Sequence, residues 1–184
     1  MLAREVEHHL PLRRQALDAT ARPLVVVTPK GLLRLRDAAA SLDELSSGSF
    51  RTVLDDAGAD REQVRRLVLC TGKVYYDMDG NDRRADAENV AIARVEILYP
   101  FAKEQLERLI ASYPNLKEIA WVQEEPRNMG AWKVMSRRMP SVLPEGVALT
   151  YIGRQGRAST GEGYSGAHAR EQERIVLTAL TPSA

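Results

Sequence analysis

Short apolar blocks alternate with longer amphipathic or polar stretches along most of the chain. Five blocks, at 23–27, 65–71, 90–96, 116–123 and 147–152, are rich in β-branched and aliphatic residues. Runs this short and continuous predict strands buried on both faces. The stretches between them change period. Residues 103–112 set Leu106, Leu109 and Ile110 on one face of a predicted helix. Met129, Trp132 and Met135 recur at helical spacing up to Met139-Pro140, and a further helix is predicted over 168–180. Pro29 suits a first helical turn with Thr28 as its cap, and another helix begins after Gly72-Lys73. Residues 41–60 and 79–88 read as polar connections, and 153–163 as a glycine-rich loop.

Strand and helix therefore alternate. The pattern predicts an α/β fold: a single three-layer domain over 22–184, with a mostly parallel sheet of about five strands, right-handed crossovers and helices on both faces. Residues 1–21 read as a charged helical lead-in interrupted at Leu10-Pro11. The 184 residues suffice for one sizeable core.

The sharpest change of character falls at Trp121-Val122-Gln123-Glu124-Glu125-Pro126-Arg127-Asn128-Met129-Gly130-Ala131-Trp132. An apolar strand runs into three polar residues. Pro126 is expected to end the strand, since it lacks a ladder donor, and Asn128 to cap the helix that follows. In open α/β sheets the carboxyl ends of the strands are where ligands and partners gather. Glu124 and Glu125 are either solvated there or paired with Arg127, Arg137 or Arg138.

Charge adds little specificity. The 26 basic residues are balanced by 25 acidic ones, so nothing calls for nucleic acid as a partner. Most of the basic residues are arginine, which favours bidentate contact with carboxylate or phosphate wherever they cluster. The one cysteine, Cys70, lies in an apolar run and is expected to be a buried, inert thiol. A single cysteine builds no disulfide or zinc framework, and a reducing, cytoplasmic location is expected. No apolar segment is long enough to span a membrane, and residues 1–9 lack an apolar signal core.

Catalytic patterns are absent from the sequence: there is no Gly-x-Ser-x-Gly and no phosphate-binding Walker loop. Gly153-Arg154-Gln155-Gly156-Arg157 has glycines without the dinucleotide spacing. His8 and His9 are adjacent, so on a helix they diverge and make a poor metal pair. His168 has no evident nucleophile beside it and reads as a helix-start residue. Lys73 is placed oddly, because the helix dipole disfavours a cation at a helix start; a bound anion or an acidic neighbour would compensate.

Several motifs resemble one family. The stretch from Trp121 to Trp132 is similar to a motif near the carboxyl end of the thiamine-diphosphate-dependent decarboxylase component of 2-oxoglutarate dehydrogenase. Leu12-Arg13-Arg14-Gln15, Gly48-Ser49-Phe50-Arg51 and Cys70-Thr71-Gly72-Lys73-Val74-Tyr75-Tyr76 follow the same family's wording. So does Thr28-Pro29-Lys30-Gly31-Leu32-Leu33-Arg34, except that Gly31 replaces a serine. The resemblance covers roughly 12–180 and implies the carboxyl-terminal domain shared with transketolases.

In that family thiamine diphosphate and magnesium sit on two preceding domains, which carry a Gly-Asp-Gly motif and an activating glutamate. Gly80-Asn81-Asp82 is a superficial echo in a polar loop. The resemblance thus implies no cofactor on this chain and no decarboxylation by it alone. It implies assembly with the remaining domains into a homodimer, with Glu124, Glu125 and Trp132 as interface candidates. It also implies work beside a lipoyl-bearing succinyltransferase. In actinobacterial relatives the equivalent domain resembles an effector site for acetyl-coenzyme A. Thr28, Arg51, Lys73, Gln123 and Arg154 stand at the motif positions for such a site. Where those relatives carry two adjacent arginines this chain has Arg154-Gln155, with Arg157 as a substitute. The competing readings are a stand-alone coenzyme- or nucleotide-binding module and a purely structural assembly domain.

Overall fold

The computed structural model describes residues 17, 19–20, 23, 25, 29–39, 41–47 and 51–181. The chain divides into two compact units, Met1–Arg51 and Thr52–Ala184. The described part of the first holds two short 3₁₀ turns, Lys30–Arg34 and Arg36–Ala38, and helix α1, Leu42–Ser46. The helix expected after Pro29 is thus a single 3₁₀ turn; its expected cap, Thr28, and the lead-in motif at 12–15 lie outside the described residues. Pro23 and Val25, the described members of the first expected strand, belong to no strand, and Val25 is 81% exposed. A β-branched run supplies propensity, but a strand exists only against a pairing partner.

The second unit carries one five-stranded sheet in the order β1-β3-β2-β4-β5. Its strands are β1 (Val53–Leu54), β2 (Arg66–Cys70), β3 (Val90–Val95), β4 (Glu118–Pro126) and β5 (Ala148–Arg154). All ladders are parallel except β1 with β3. The mostly parallel sheet of five strands is as expected, but its fifth member is the two-residue β1, from a stretch expected to be loop. Helix α1, the element before it in sequence, is five residues long. Elements this short carry no readable period.

Helices α2 (Val74–Asp79) and α5 (Ser165–Leu180) cover one face of the sheet; α3 (Lys103–Ala111) and α4 (Trp132–Arg138) cover the other. Strand alternation sorts the core accordingly. Leu67, Leu69, Ala93, Ile119 and Trp121 face Leu106, Ile110 and Met135. Val68, Cys70, Ile92, Ala120, Val122 and Ile152 face Val74, Met78, Ile175 and Ala179. Burial on both faces explains why β2, β3 and the first part of β4 read as unbroken apolar runs.

Polar groups close the amino-terminal end of the α2/α5 face. Arg66 is 2% exposed and pairs through Nε with Glu118 Oε2 at 2.7 Å. Its Nη1 reaches the carbonyls of Thr178, Ala179 and Thr181 at 2.7, 3.1 and 2.9 Å. A strand arginine thus satisfies the carbonyl end of α5, whose last acceptors have no helical partners.

Strand β4 passes beyond the expected stop. An irregularity falls between Val122 and Pro126, and Pro126 lies opposite Arg154. Proline is tolerated at such a bulge because the next amide restores the ladder, here Arg127 N–H donating to Arg154 O at 3.0 Å.

Candidate functional site

The helix after β2 packs on one face of the sheet and the helix after β4 on the other. The carboxyl ends of these adjacent strands form the switch point of the fold, where open α/β sheets characteristically bind ligands. Lys73 follows β2 and Glu124 lies in β4. Their side chains meet across this point, Lys73 Nζ lying 3.3 Å from Glu124 Oε1. Lys73 also pairs with Asp77, one helical turn on. Burial pulls the Lys73 ammonium down, but hydrogen bonding and charge from Asp77 and Glu124 outweigh it and leave its pKa raised. Acidic neighbours thus supply the compensation that a cation at a helix start requires.

Arg154, at the end of β5, reaches the same strand. Its Nη1 donates to the Glu124 carbonyl. Its Nη2 lies 3.2 Å from His168 Nδ1 and donates to Gln172 Oε1 at 3.2 Å. Gln172 in turn donates to Asp77 at 2.7 Å, which closes a circuit back to Lys73. Arg154 is 2% exposed, whereas the Lys73 side chain is 33% exposed. Arg157 and Glu162, from the loop after β5, complete the cluster with an ion pair at 2.6 Å. The carboxyl of Glu171 is held below the usual range, chiefly by its hydrogen bond with Arg174, with Arg154 and Arg157 adding positive potential.

The candidate effector residues therefore divide. Lys73 and Arg154 converge on Glu124. Gln123 points to the opposite face of the sheet and is 1% exposed. Its Oε1 accepts from Trp121 Nε1 at 3.0 Å and from the backbone N–H of Trp132 at 2.9 Å. Its Nε2 donates to the carbonyls of Glu125, Pro126 and Met129. Gln123 thus does the capping work expected of Asn128. Asn128 instead exchanges two hydrogen bonds of 3.0 Å with the backbone of Arg157. Thr28 lies outside the described residues, and Arg51 belongs to the first unit.

Among the interface candidates, Glu124 is engaged by Lys73, and Glu125 is exposed. Trp132 is partly exposed and leans on Tyr151, with ring centroids 5.1 Å apart. Arg127 covers that tyrosine ring at 5.5 Å. Asp77, Gln172 and Glu162 were missed in the sequence. Asp77 had a signal, its i+4 spacing from Lys73. Gln172 and Glu162 had none, because their partners come from other elements.

The arrangement gathers three cations, Lys73, Arg154 and Arg157, each engaged by acidic or carbonyl groups of the chain itself. The described residues at Gly80-Asn81-Asp82 and in the cluster do not fit thiamine diphosphate with its magnesium. Asn81 accepts from the Arg83 N–H at 3.0 Å and so is spent capping the 3₁₀ turn Asp82–Arg84. Among the described residues no group of three His, Cys, Asp or Glu could hold a metal ion. No helix of the described residues is long and apolar enough to cross a membrane.

Fold and site together define an α/β three-layer domain whose switch point carries an arginine–lysine–carboxylate cluster. The family model "2-oxoglutarate dehydrogenase C-terminal" matches residues 39–180, and the chain belongs to that family. It is 47% identical over 177 residues to the 2-oxoglutarate dehydrogenase E1 component of Bacillus subtilis (strain 168), covering 92% of this chain and 19% of that protein. It is 45% identical over 176 residues to the E1 component of Geobacillus sp. (strain WCH70), and 43% over 174 residues to that of Azotobacter vinelandii. Each of these two matches covers 92% of this chain and 18% of the relative, so the chain spans about a fifth of the curated relatives it matches.

Proposed function

We propose that this chain serves as the carboxyl-terminal assembly and regulatory part of a thiamine-diphosphate-dependent 2-oxoglutarate dehydrogenase. One observation carries the reading: 92% of the chain aligns at 43–47% identity with proteins named as E1 components. These 184 residues do not decarboxylate alone; thiamine diphosphate and magnesium sit on other domains of that enzyme. Those domains, a homodimeric partner and the lipoyl-bearing succinyltransferase are its partners, in the cytoplasm. Trp132, Glu124 and Glu125 serve the domain or dimer contacts.

The test is complementation. An E1 relative truncated before this region is assayed for 2-oxoglutarate decarboxylation with and without the chain, and the chain is assayed alone with thiamine diphosphate and magnesium. Activity is expected only from the mixture. Turnover by the purified chain alone, or a truncated enzyme that needs no complement, overturns the reading.

The regulatory half has its own support, the convergence of Lys73 and Arg154 on Glu124 at the switch point. Acetyl-coenzyme A is the proposed effector, its phosphates matched by these cations. Lys73→Ala should weaken binding by about 1.5–3 kcal/mol, the worth of a charged hydrogen bond. Calorimetric titration without detectable heat at millimolar ligand removes the effector and leaves an assembly domain.

A further inference from the structure

The loop between β5 and α5 folds a carboxylate of its own onto the basic edge. Glu162 places Oε2 2.6 Å from Arg157 Nη1 and Oε1 3.4 Å from Arg154 Nε. The first contact is a charge-assisted hydrogen bond. The second is an ion pair without hydrogen-bond alignment. Arg154 Nε and Glu162 Oε1 are the two buried side-chain polar atoms, among the described residues, that lack a hydrogen-bond partner. An arginine that is 2% exposed thus keeps one N–H unspent, and such a group is expensive to bury.

Arg154 does not depend on Glu162 for its place. The Glu124 carbonyl, His168 and Gln172 hold the other two guanidinium nitrogens of Arg154. The backbone of Arg157 is held by both ends of the Asn128 amide. Glu162 stands between two glycines in open surroundings, where a Cβ added at Gly161 or Gly163 would meet nothing within 4 Å, while its own side chain is 11% exposed. The side chain of Arg157 is 33% exposed, so the cluster opens to solvent. Two guanidinium groups therefore share one carboxylate, which satisfies Arg157 well and Arg154 poorly.

We propose that Glu162 is an internal counter-anion that closes this site, and that a pyrophosphoryl group binds Arg154 and Arg157 by displacing it. The proposal rests on the effector reading above and adds the device that gates it. A pyrophosphoryl group carries more charge and more acceptor oxygens than one carboxylate, so it can satisfy the unspent Arg154 N–H while keeping the hydrogen bond to Arg157. Because the site must open first, ligand affinity is reduced by the fraction of molecules with Glu162 withdrawn.

The test is calorimetric titration of the 184-residue chain with inorganic pyrophosphate. Glu162→Gln should bind about tenfold more tightly than wild type, as expected if about a tenth of wild-type molecules are open. Glu162→Asp, which keeps the charge on a shorter arm, should fall between them and carries the comparison if the first variant does not fold. Adding Arg157→Ala to Glu162→Gln should abolish the gain. ADP and coenzyme A, titrated in parallel, tell a nucleotide source of the group from a coenzyme source by which binds the open variant more tightly. Equal affinity of wild type and both Glu162 variants overturns the gate while leaving the effector site standing. No binding by any form at millimolar pyrophosphate overturns both.

Discussion

Replacing Gln123 by leucine separates a structural role for this residue from a ligand-binding one. Leucine has a similar volume, so the change removes hydrogen bonds with little change in packing. The Trp121 indole N–H and the Trp132 backbone N–H lose their common acceptor. Trp121 is fully buried, so water cannot replace that partner. Each buried group left unsatisfied costs about 1–3 kcal/mol, and with two donors stranded the loss should be about 3–5 kcal/mol. That corresponds to a fall in Tm of roughly 10–20 °C for a unit of this size. Urea unfolding followed by tryptophan fluorescence measures it directly, since both tryptophans of the chain donate to this one amide. Gln123→Glu supplies a second arm. It keeps the acceptor for both tryptophans but turns an oxygen toward the carbonyls of Glu125, Pro126 and Met129, so it too should destabilise. A Gln123→Leu chain within about 0.5 kcal/mol of wild type, the range of a neutral surface change, would refute the reasoning. If that chain also lost affinity for acetyl-coenzyme A, Gln123 would be a ligand contact and not the keystone of the β4–α4 corner.

Arg66→Met should cost about 3–5 kcal/mol, because it leaves Glu118 unpaired and the last carbonyls of α5 without a donor; hydrogen exchange should show the loss concentrated at 175–180. Stability should also fall at alkaline pH. Burial pushes the Cys70 thiol up, and burial followed by the hydrogen bond and charge of Asp55 pushes up the Tyr113 phenol. Both folded-state values are raised, so their stabilisation is whole below the unfolded pKa, about 8.5 for Cys and 10 for Tyr, and is lost as pH climbs past it. Urea midpoints should decline from about pH 8.5. Cys70→Ala should flatten the first part of that decline and Tyr113→Phe the part above pH 10.

What could be read in the sequence and what could not follows from how far each residue's partners lie along the chain. Strands β2 and β3 were legible because helices cover both faces of the sheet and leave no polar position between Leu67 and Cys70 or between Val90 and Ala93. The α3 face was legible because Leu106, Leu109 and Ile110 repeat within one helix. Strand β1 was not, since its two residues exist as a strand only through Val95 and Arg94, some 40 positions away. The same limit governs the site. Lys73 could be singled out because a cation at a helix start is locally unfavourable, yet its partner Glu124 comes from another strand. Gln123 looks like the start of a polar corner in sequence; its burial is decided by a pocket built from residues before and after the turn. Arg154 and Glu162 are eight positions apart with no repeat between them, so only the folded loop brings them together.

Two of the three buried arginines on the α2/α5 face of the sheet, Arg66 and Arg154, differ in how their donors are spent. Both are 2% exposed, and both keep their charge in any environment a protein provides. Burial of such a group is tolerable only when its five N–H donors are spent. Arg66, at the amino-terminal end, spends its Nε on Glu118 at 2.7 Å and its Nη1 on the carbonyls that end α5. A ligand there would have to displace the structure of the domain itself. Arg154, at the carboxyl end, spends both terminal nitrogens on backbone and side chains that stay in place, but leaves its Nε facing a carboxylate at 3.4 Å without a hydrogen bond. A ligand at that end has to displace only Glu162. The free energy stored in one badly made contact then becomes available for binding, while the contacts that fix β5 to α5 remain. If Glu162 gates the site as proposed, this asymmetry makes the carboxyl edge exchangeable and the amino edge permanent. It predicts that ligand should change hydrogen-exchange protection around 155–164 while leaving 175–180 untouched; a ligand-induced change at the Arg66 end instead would show the two edges to be coupled and the argument wrong.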